Sequence, residues 1–366
     1  MRWLWGLGLC LGLAAMTGAG RADTVTPQGT DAPEMPMCEH KPGPGMTLAE
    51  SITRPAPRFP RDDLNTMSEG WVLLGLTIAT DGTTRDIVVL DRTGSETIVK
   101  SAIDAVQTWR YKPATFNGKP INQYNVEISV LYRIDWDPRV VAHDGFVRRY
   151  NRGRNLLRNG KVAEAIAALE EVFATRLTHY EQSMLSLALA TAYTEAGNEP
   201  RALFHIRHAT MENGLFVNRK LSAPARRLQL QLEARNGNFQ YVACAPSLAE
   251  PDAFSDDPEE RAKVVRIVAD VKSALVNPAP IAVQGRLAVN PWVQGDAVWD
   301  HPLLRRMFAF DAIKGVVKNL RLTCDNQIVE TPVNETSQWT VPASAGACTL
   351  RVYGEDGATF HLVEEW

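Results

Sequence analysis

The chain has 366 residues, 45% of them hydrophobic and 22% charged, with a formal net charge of −3. That length is enough for two or three domains with buried cores, and the composition is that of ordinary globular protein rather than of collagen or a wholly disordered chain. A mildly acidic chain without clustered Lys and Arg has no electrostatic basis for holding nucleic acid, nor the polybasic run of a protein that lies on anionic lipid.

Residues 1–22 read as a signal peptide: Arg2, an uncharged apolar stretch from Trp3 to Met16, then Gly20-Arg21-Ala22 as a small-residue cleavage site. Its rival is an uncleaved membrane anchor, although the stretch is Gly-rich and near the lower length limit for a spanning helix. Residues 23–51 follow as a Pro-rich linker, with Pro27, Pro33, Pro36, Pro42 and Pro44 and few apolar residues. Such a segment buries too little surface to offset its ordering entropy, so it is expected to be extended.

At Gly70 the pattern changes. Val72, Leu74, Leu76 and Ile78 alternate with Trp71, Leu73, Gly75 and Thr77, which predicts a strand with one face buried. Asp81-Gly82 is a hairpin turn signal, and a second strand is expected near Asp86–Asp91. Ser95 is placed to cap a helix with Glu96 in its first turn. Ile98, Ala102, Val106 and Trp109 would form its buried stripe, and Pro113 would stop it. A third strand carries Val126, Ile128, Val130 and Tyr132 on one face, with Glu127 and Ser129 facing away. The order is strand, strand, helix, strand.

Several motifs are specific. They are the Asp81-Gly82 turn, Thr93-Gly94, Ala102, Ala105-Val106, Trp109-Arg110-Tyr111-Lys112-Pro113-Ala114 and Gly118-Lys119-Pro120. Together they make residues 52–135 resemble the C-terminal domain of the TonB family, with Phe59-Pro60 where the family usually has Tyr-Pro. The resemblance implies a β-β-α-β fold that captures a short receptor segment by adding a strand to its sheet. It implies an outer-membrane receptor peptide, or another envelope protein, as partner, and no cofactor. The strand Gln123–Tyr132 is the edge so implicated, with Gln123, Asn125, Glu127, Ser129 and Leu131 as contacts and Phe59 and Pro60 as a second contact. It contains no proline, so every residue can donate. The alternative is that this edge is covered by the rest of the chain or by a second copy.

Residues 144–243 read as helical repeats. Asn159-Gly160-Lys161, Ala196-Gly197-Asn198 and Asn236-Gly237-Asn238 are similar helix-to-helix turns at about forty-residue spacing. Tyr150, Gly153, Leu157, Gly160, Ala165 and Leu169 resemble a tetratricopeptide repeat, with an ordinary helical bundle as the alternative. On this stretch His205 and His208 stand at i, i+3. They are expected on a solvated helix face rather than as metal ligands, because no third ligand is suggested.

Residues 256–276 form a further helix, opened by Asp257 and Pro258 with Glu259-Glu260 in its first turn. The acidic cluster Asp252, Asp256, Asp257, Glu259 and Glu260 fits a helix start better than an EF-hand, whose spacing is absent. Residues 280–366 are expected to be β-rich and sandwich-like, from Ile281, Val283, Leu287 and Val289 and later from Leu320-Leu322-Cys324 and Leu350-Val352. Trp292 and Trp299 flank a Gly-Asp turn and are expected to pack in the core rather than stack on a ligand. Cys38, Cys244, Cys324 and Cys348 remain once a signal is removed, an even number that allows three pairings. Cys324–Cys348 is favoured by proximity in one region, and Cys38–Cys244 would follow by default.

The chain as a whole is expected to be a multidomain α+β protein. No P-loop, G-x-S-x-G, H-E-x-x-H or dinucleotide fingerprint occurs in it, so a binding role is expected rather than an enzymatic one. The reading is a periplasmic adaptor that binds other proteins. The alternative is a membrane-anchored TonB-type energy transducer facing the periplasm, and an enzyme with its site in the C-terminal domain is the third class.

Overall fold

A computed structural model describes residues 42–134, 142–211, 219–244, 257–290 and 295–365. The signal segment, Cys38 and Trp292 lie outside the described residues. So do Asp252 and Asp256.

The first unit contains β1 (Met46–Thr47), β2 (Glu50–Thr53), α1 (Arg61–Asn65), β3 (Gly70–Ile78), β4 (Thr84–Arg92), α2 (Glu96–Gln107), β5 (Arg110–Lys112), β6 (Thr115–Phe116), β7 (Lys119–Pro120) and β8 (Gln123–Tyr132). Its main sheet is antiparallel in the order β4-β3-β8. The hairpin β3–β4, the helix α2 and the returning strand β8 follow the expected order. Ser95 Oγ accepts from the Ile98 N–H and starts α2. Ile98, Ala102 and Val106 then pack on Val72, Leu74 and Leu76, all buried. Each such Leu or Ile contributes about 1.5–3 kcal/mol by leaving water.

Two expectations change here. Trp109 is buried but lies beyond α2, whose C-cap is Thr108, so the helix ends well before Pro113. Trp109 is held instead by its indole N–H to Pro55 O, 2.9 Å, and by the Arg54 guanidinium 4.2 Å from its ring centre. The described end of the expected linker is not free either. β1 pairs with β6 and β2 with β5, so residues of this stretch gain ladder hydrogen bonds that an isolated extended segment lacks.

The second unit is helical: α3 (Asp144–Arg158), α4 (Val162–Phe173), α5 (His179–Glu195), α6 (Glu199–Ala209), α7 (Arg219–Arg235) and α8 (Phe239–Cys244). Gly160, Gly197 and Gly237 all have φ between +71° and +74° and close the turns α3–α4, α5–α6 and α7–α8. A side chain there would meet the left-handed penalty, which is why glycine recurs at the three turns. α5 opens on a capping box, Thr178 with Glu181.

The third unit opens with α9 (Pro258–Val276), whose N-cap Asp257 accepts from the Glu259 N–H, as the helix-start reading of this cluster requires. Then come β9 (Ile281–Arg286), β10 (Ala297–Pro302), β11 (Met307–Lys314), β12 (Val317–Cys324), β13 (Ile328–Pro332), β14 (Gln338–Thr340), β15 (Cys348–Gly354) and β16 (Thr359–Glu365). They form two four-stranded sheets, β10-β15-β12-β13 and β14-β11-β16-β9. Phe308, Phe310, Phe360, Leu320 and Leu350 fill the core they share. Cys324 and Cys348 face each other across β12 and β15 and are bonded. Cys244 is also disulfide-bonded.

The units are joined by buried polar contacts. The Glu69 carboxylate accepts from the N–H of Ile134 and of His179, each at 2.7 Å. Asp91 Oδ2 pairs with His208 Nε2 at 2.8 Å, and Asp91 Oδ1 accepts from Asn290 Nδ2 at 3.2 Å. One side chain of β4 therefore holds both later units. The expectation of a solvated face for His205 and His208 is corrected: both are buried, at 0% and 1% exposure. His208 is drawn to Asp91, and His205 lies 3.3 Å from Glu170 and stacks on Tyr193.

Candidate functional site

The predicted edge is the outer margin of the main sheet, and its geometry follows from the central strand. Thr93 N–H donates to Trp71 O, and Trp71 N–H to Thr93 Oγ1, so the peptide groups of Trp71 point toward β4. Alternation then turns Val72, Leu74 and Leu76 toward β8. Their register partners Val130, Ile128 and Val126 bond back to β3. Glu127, Ser129 and Leu131 therefore turn their N–H and C=O groups to the outer side. Among the described residues, none pairs with those outward groups.

This edge is open only in part. At its start the Tyr124 N–H donates to Asp325 O, in the turn between β12 and β13, at 2.8 Å. Asn125 next to it has φ +54° and sits at a register shift, where β8 carries one extra residue. The bulge bends the strand and ends the regular stretch. Gln123 is buried, and its Oε1 accepts from the Ala49 N–H at 2.7 Å, so it acts as a brace for the chain before the sheet. Phe59 packs edge-on to Tyr132, centroids 5.6 Å apart, and Pro60 is the N-cap of α1. The structure thus brings Glu127, Ser129 and Leu131 together along one margin, sets Gln123 inward, and places Phe59 at the far end of the strand.

The side chains of Glu127 and Ser129 lie on the sheet face opposite α2. That face is not simply polar and solvated. Trp71 and Thr77 on it are 3% and 4% exposed, because the other two units pack over it. Trp71 donates its indole N–H to Ser129 Oγ and meets the His208 ring edge-on. Between the three units lies a cavity of about 680 Å³. Its walls include Glu127 and Asn125 from β8, Arg207 and Tyr241 from the helices, and Trp299, Asp300 and Arg351 from the β-rich unit.

Arg351 and Asp300 form a two-pronged pair, Nε–Oδ1 2.6 Å and Nη2–Oδ2 2.9 Å. Asp300 holds the guanidinium more firmly protonated than usual. Glu127 faces this pair. Burial pushes its carboxyl up to about 7; Asp300 adds to the rise and Arg351 opposes it. Arg207 is likewise bound by Glu233, at 2.8 and 2.7 Å. Sequence reasoning missed Asp300, Arg351 and Asp91. The one available signal was Arg351 between Leu350 and Val352, a charge on the outward face of an apolar strand. Trp299 is half-buried, stacked on His301 and edge-on to Phe360, and it also lines the cavity. Among the described residues no group of three or more His, Cys, Asp and Glu is placed to hold a metal ion. No described helix is long and apolar enough to cross a membrane.

Comparison with known proteins agrees with the first unit. Residues 55–134 match the family described as Gram-negative bacterial TonB protein C-terminal. No curated protein matches the chain. Among solved structures, the TonB C-terminal domain of Pseudomonas aeruginosa is 24% identical, over 24% of this chain and 89% of that one, with a TM-score of 0.21. The TonB2 protein of Vibrio anguillarum is 26% identical over 32% of this chain and all of that one, TM-score 0.21. The Helicobacter pylori TonB C-terminal domain is 21% identical over 22% and 72%, TM-score 0.17.

Proposed function

We propose that this chain is a periplasmic adaptor, in which the TonB C-terminal-like unit captures an extended segment of another envelope protein as an added strand on β8. The observation that carries the reading is the row of outward peptide groups from Glu127 to Leu131, without partners among the described residues. Unpaired strand margins are templates for another strand, and the backbone supplies affinity while neighbouring side chains supply selectivity. Phe59, beside Tyr132, is a second contact for the incoming segment. The helical hairpins, read as tetratricopeptide-like, offer a surface for a second partner. The match of residues 55–134 to a family of protein-binding domains supports binding rather than catalysis as the role of this unit.

A membrane-anchored transducer would use the same margin, so the two roles share their first step. Retention of Met1 to Ala22 on the mature protein, read by intact mass, separates them.

The test is binding of a labelled receptor-derived peptide, followed by fluorescence anisotropy. Ser129→Pro removes one outward donor and leaves the bonds from β8 to β3 in place. Ser129→Ala removes the hydroxyl alone and controls for the lost contact to Trp71. The expected result is affinity weakened about tenfold by Ser129→Pro, with circular dichroism unchanged, and little change for Ser129→Ala. Unchanged affinity in a folded Ser129→Pro variant rules the margin out.

A further inference from the structure

Glu127 is the residue on this margin whose chemistry is incomplete. It is half-buried, it lines the central cavity, and its carboxylate has no hydrogen bond or ion pair among the described residues. The charges that act on it, Asp300 and Arg351, are already bound to each other through both oxygens and two nitrogens. When Glu127 is ionised, these three groups together carry one net negative charge; Arg201 and Arg286 line other parts of the same cavity. A half-buried carboxylate without a partner is unfavourable, and a cation that reaches it recovers that cost.

The peptide groups of Glu127 face outward, so an added strand places one residue directly opposite it. If the added strand runs antiparallel to β8, side chains directly opposed on one face have Cβ atoms about 4.5–5.5 Å apart, within reach of an ion pair. On that face the cavity gives a long side chain room to lie beside β8. Resting on the strand-capture reading, we infer that Glu127 is a selectivity residue and that the captured segment carries a Lys or Arg opposite it, with its cationic head in the central cavity. An acidic residue at the same place would stand against Glu127 and Asp300 together.

The experiment is selection of short random peptides, displayed on phage, against the full chain, its Glu127→Gln variant and its Ser129→Pro variant. The expected outcome is a set of peptides in which one position is enriched about two- to fivefold in Lys and Arg. With Glu127→Gln that enrichment disappears while peptides are still recovered. If recovered peptides depend on the Ser129 N–H but show no basic preference, or an acidic one, the charge selection is wrong and strand capture stands. If recovery does not exceed the bead background, or is unaffected in a folded Ser129→Pro variant, strand capture itself fails and this inference fails with it. Should Ser129→Pro not fold, Leu131→Pro removes the next outward donor and takes its place.

Discussion

Trp71 donates its indole N–H to the hydroxyl of Ser129, so the central strand and the margin strand are tied by side chains as well as by the ladder. Removing the hydroxyl leaves a buried N–H without that acceptor. Ser129→Ala is expected to lower stability by about 1 kcal/mol, read from the midpoint of urea unfolding, with the slope unchanged. No loss at all would mean that the indole finds water instead.

Glu127 makes stability depend on pH in a definite direction. Its native pKa of about 7 lies above the ordinary 4.5, so the native state binds the proton more tightly than the unfolded state. The contribution is fully present below the unfolded value, falls as pH rises through this window, and is lost above about pH 7. Glu127→Gln should therefore match the parent near pH 4 and exceed it at pH 8 by on the order of 1–3 kcal/mol. An equal difference at both pH values would contradict this account.

Asp91 is the side chain that both later units share. Asp91→Ala removes the bonds to His208 and to Asn290 together and leaves a buried imidazole without its carboxylate. A loss of about 2–3 kcal/mol is expected, with faster limited proteolysis between the units. Asp91→Asn, which keeps one acceptor, should lose less.

The Cys324–Cys348 bond closes a loop with a sequence separation of 24. Replacing both with Ser should cost about 3 kcal/mol by freeing the unfolded chain. Non-reducing peptide mapping of the parent should recover the two cysteines in one linked fragment.

Much of the local structure was legible in the sequence. The strand Gly70–Ile78, the Ser95 cap, the glycine turns and the Cys324–Cys348 pair each follow from chemistry confined to a short stretch. What was not legible depends on distant partners. Trp71 and Thr77 look like the wet face of a half-buried strand, and only the later units bury them. His208 reads as solvated because its carboxylate lies 117 residues earlier. The alternation in β8 also conceals the bulge at Asn125, since a positive φ at a single Asn leaves no mark in hydrophobic periodicity.

The hydrogen bond from Tyr124 N–H to Asp325 O occupies the start of this margin. If β8 captures a strand as proposed, that guest could not slide past Tyr124, because the position it would move into already holds a backbone acceptor from the β-rich unit. Sliding by one residue in the other direction would swap which guest side chains meet Glu127. On that reading the register of a captured strand would be measured from a fixed point supplied by another part of the same chain, and lengthening the turn at Asp325 should let the guest shift frame.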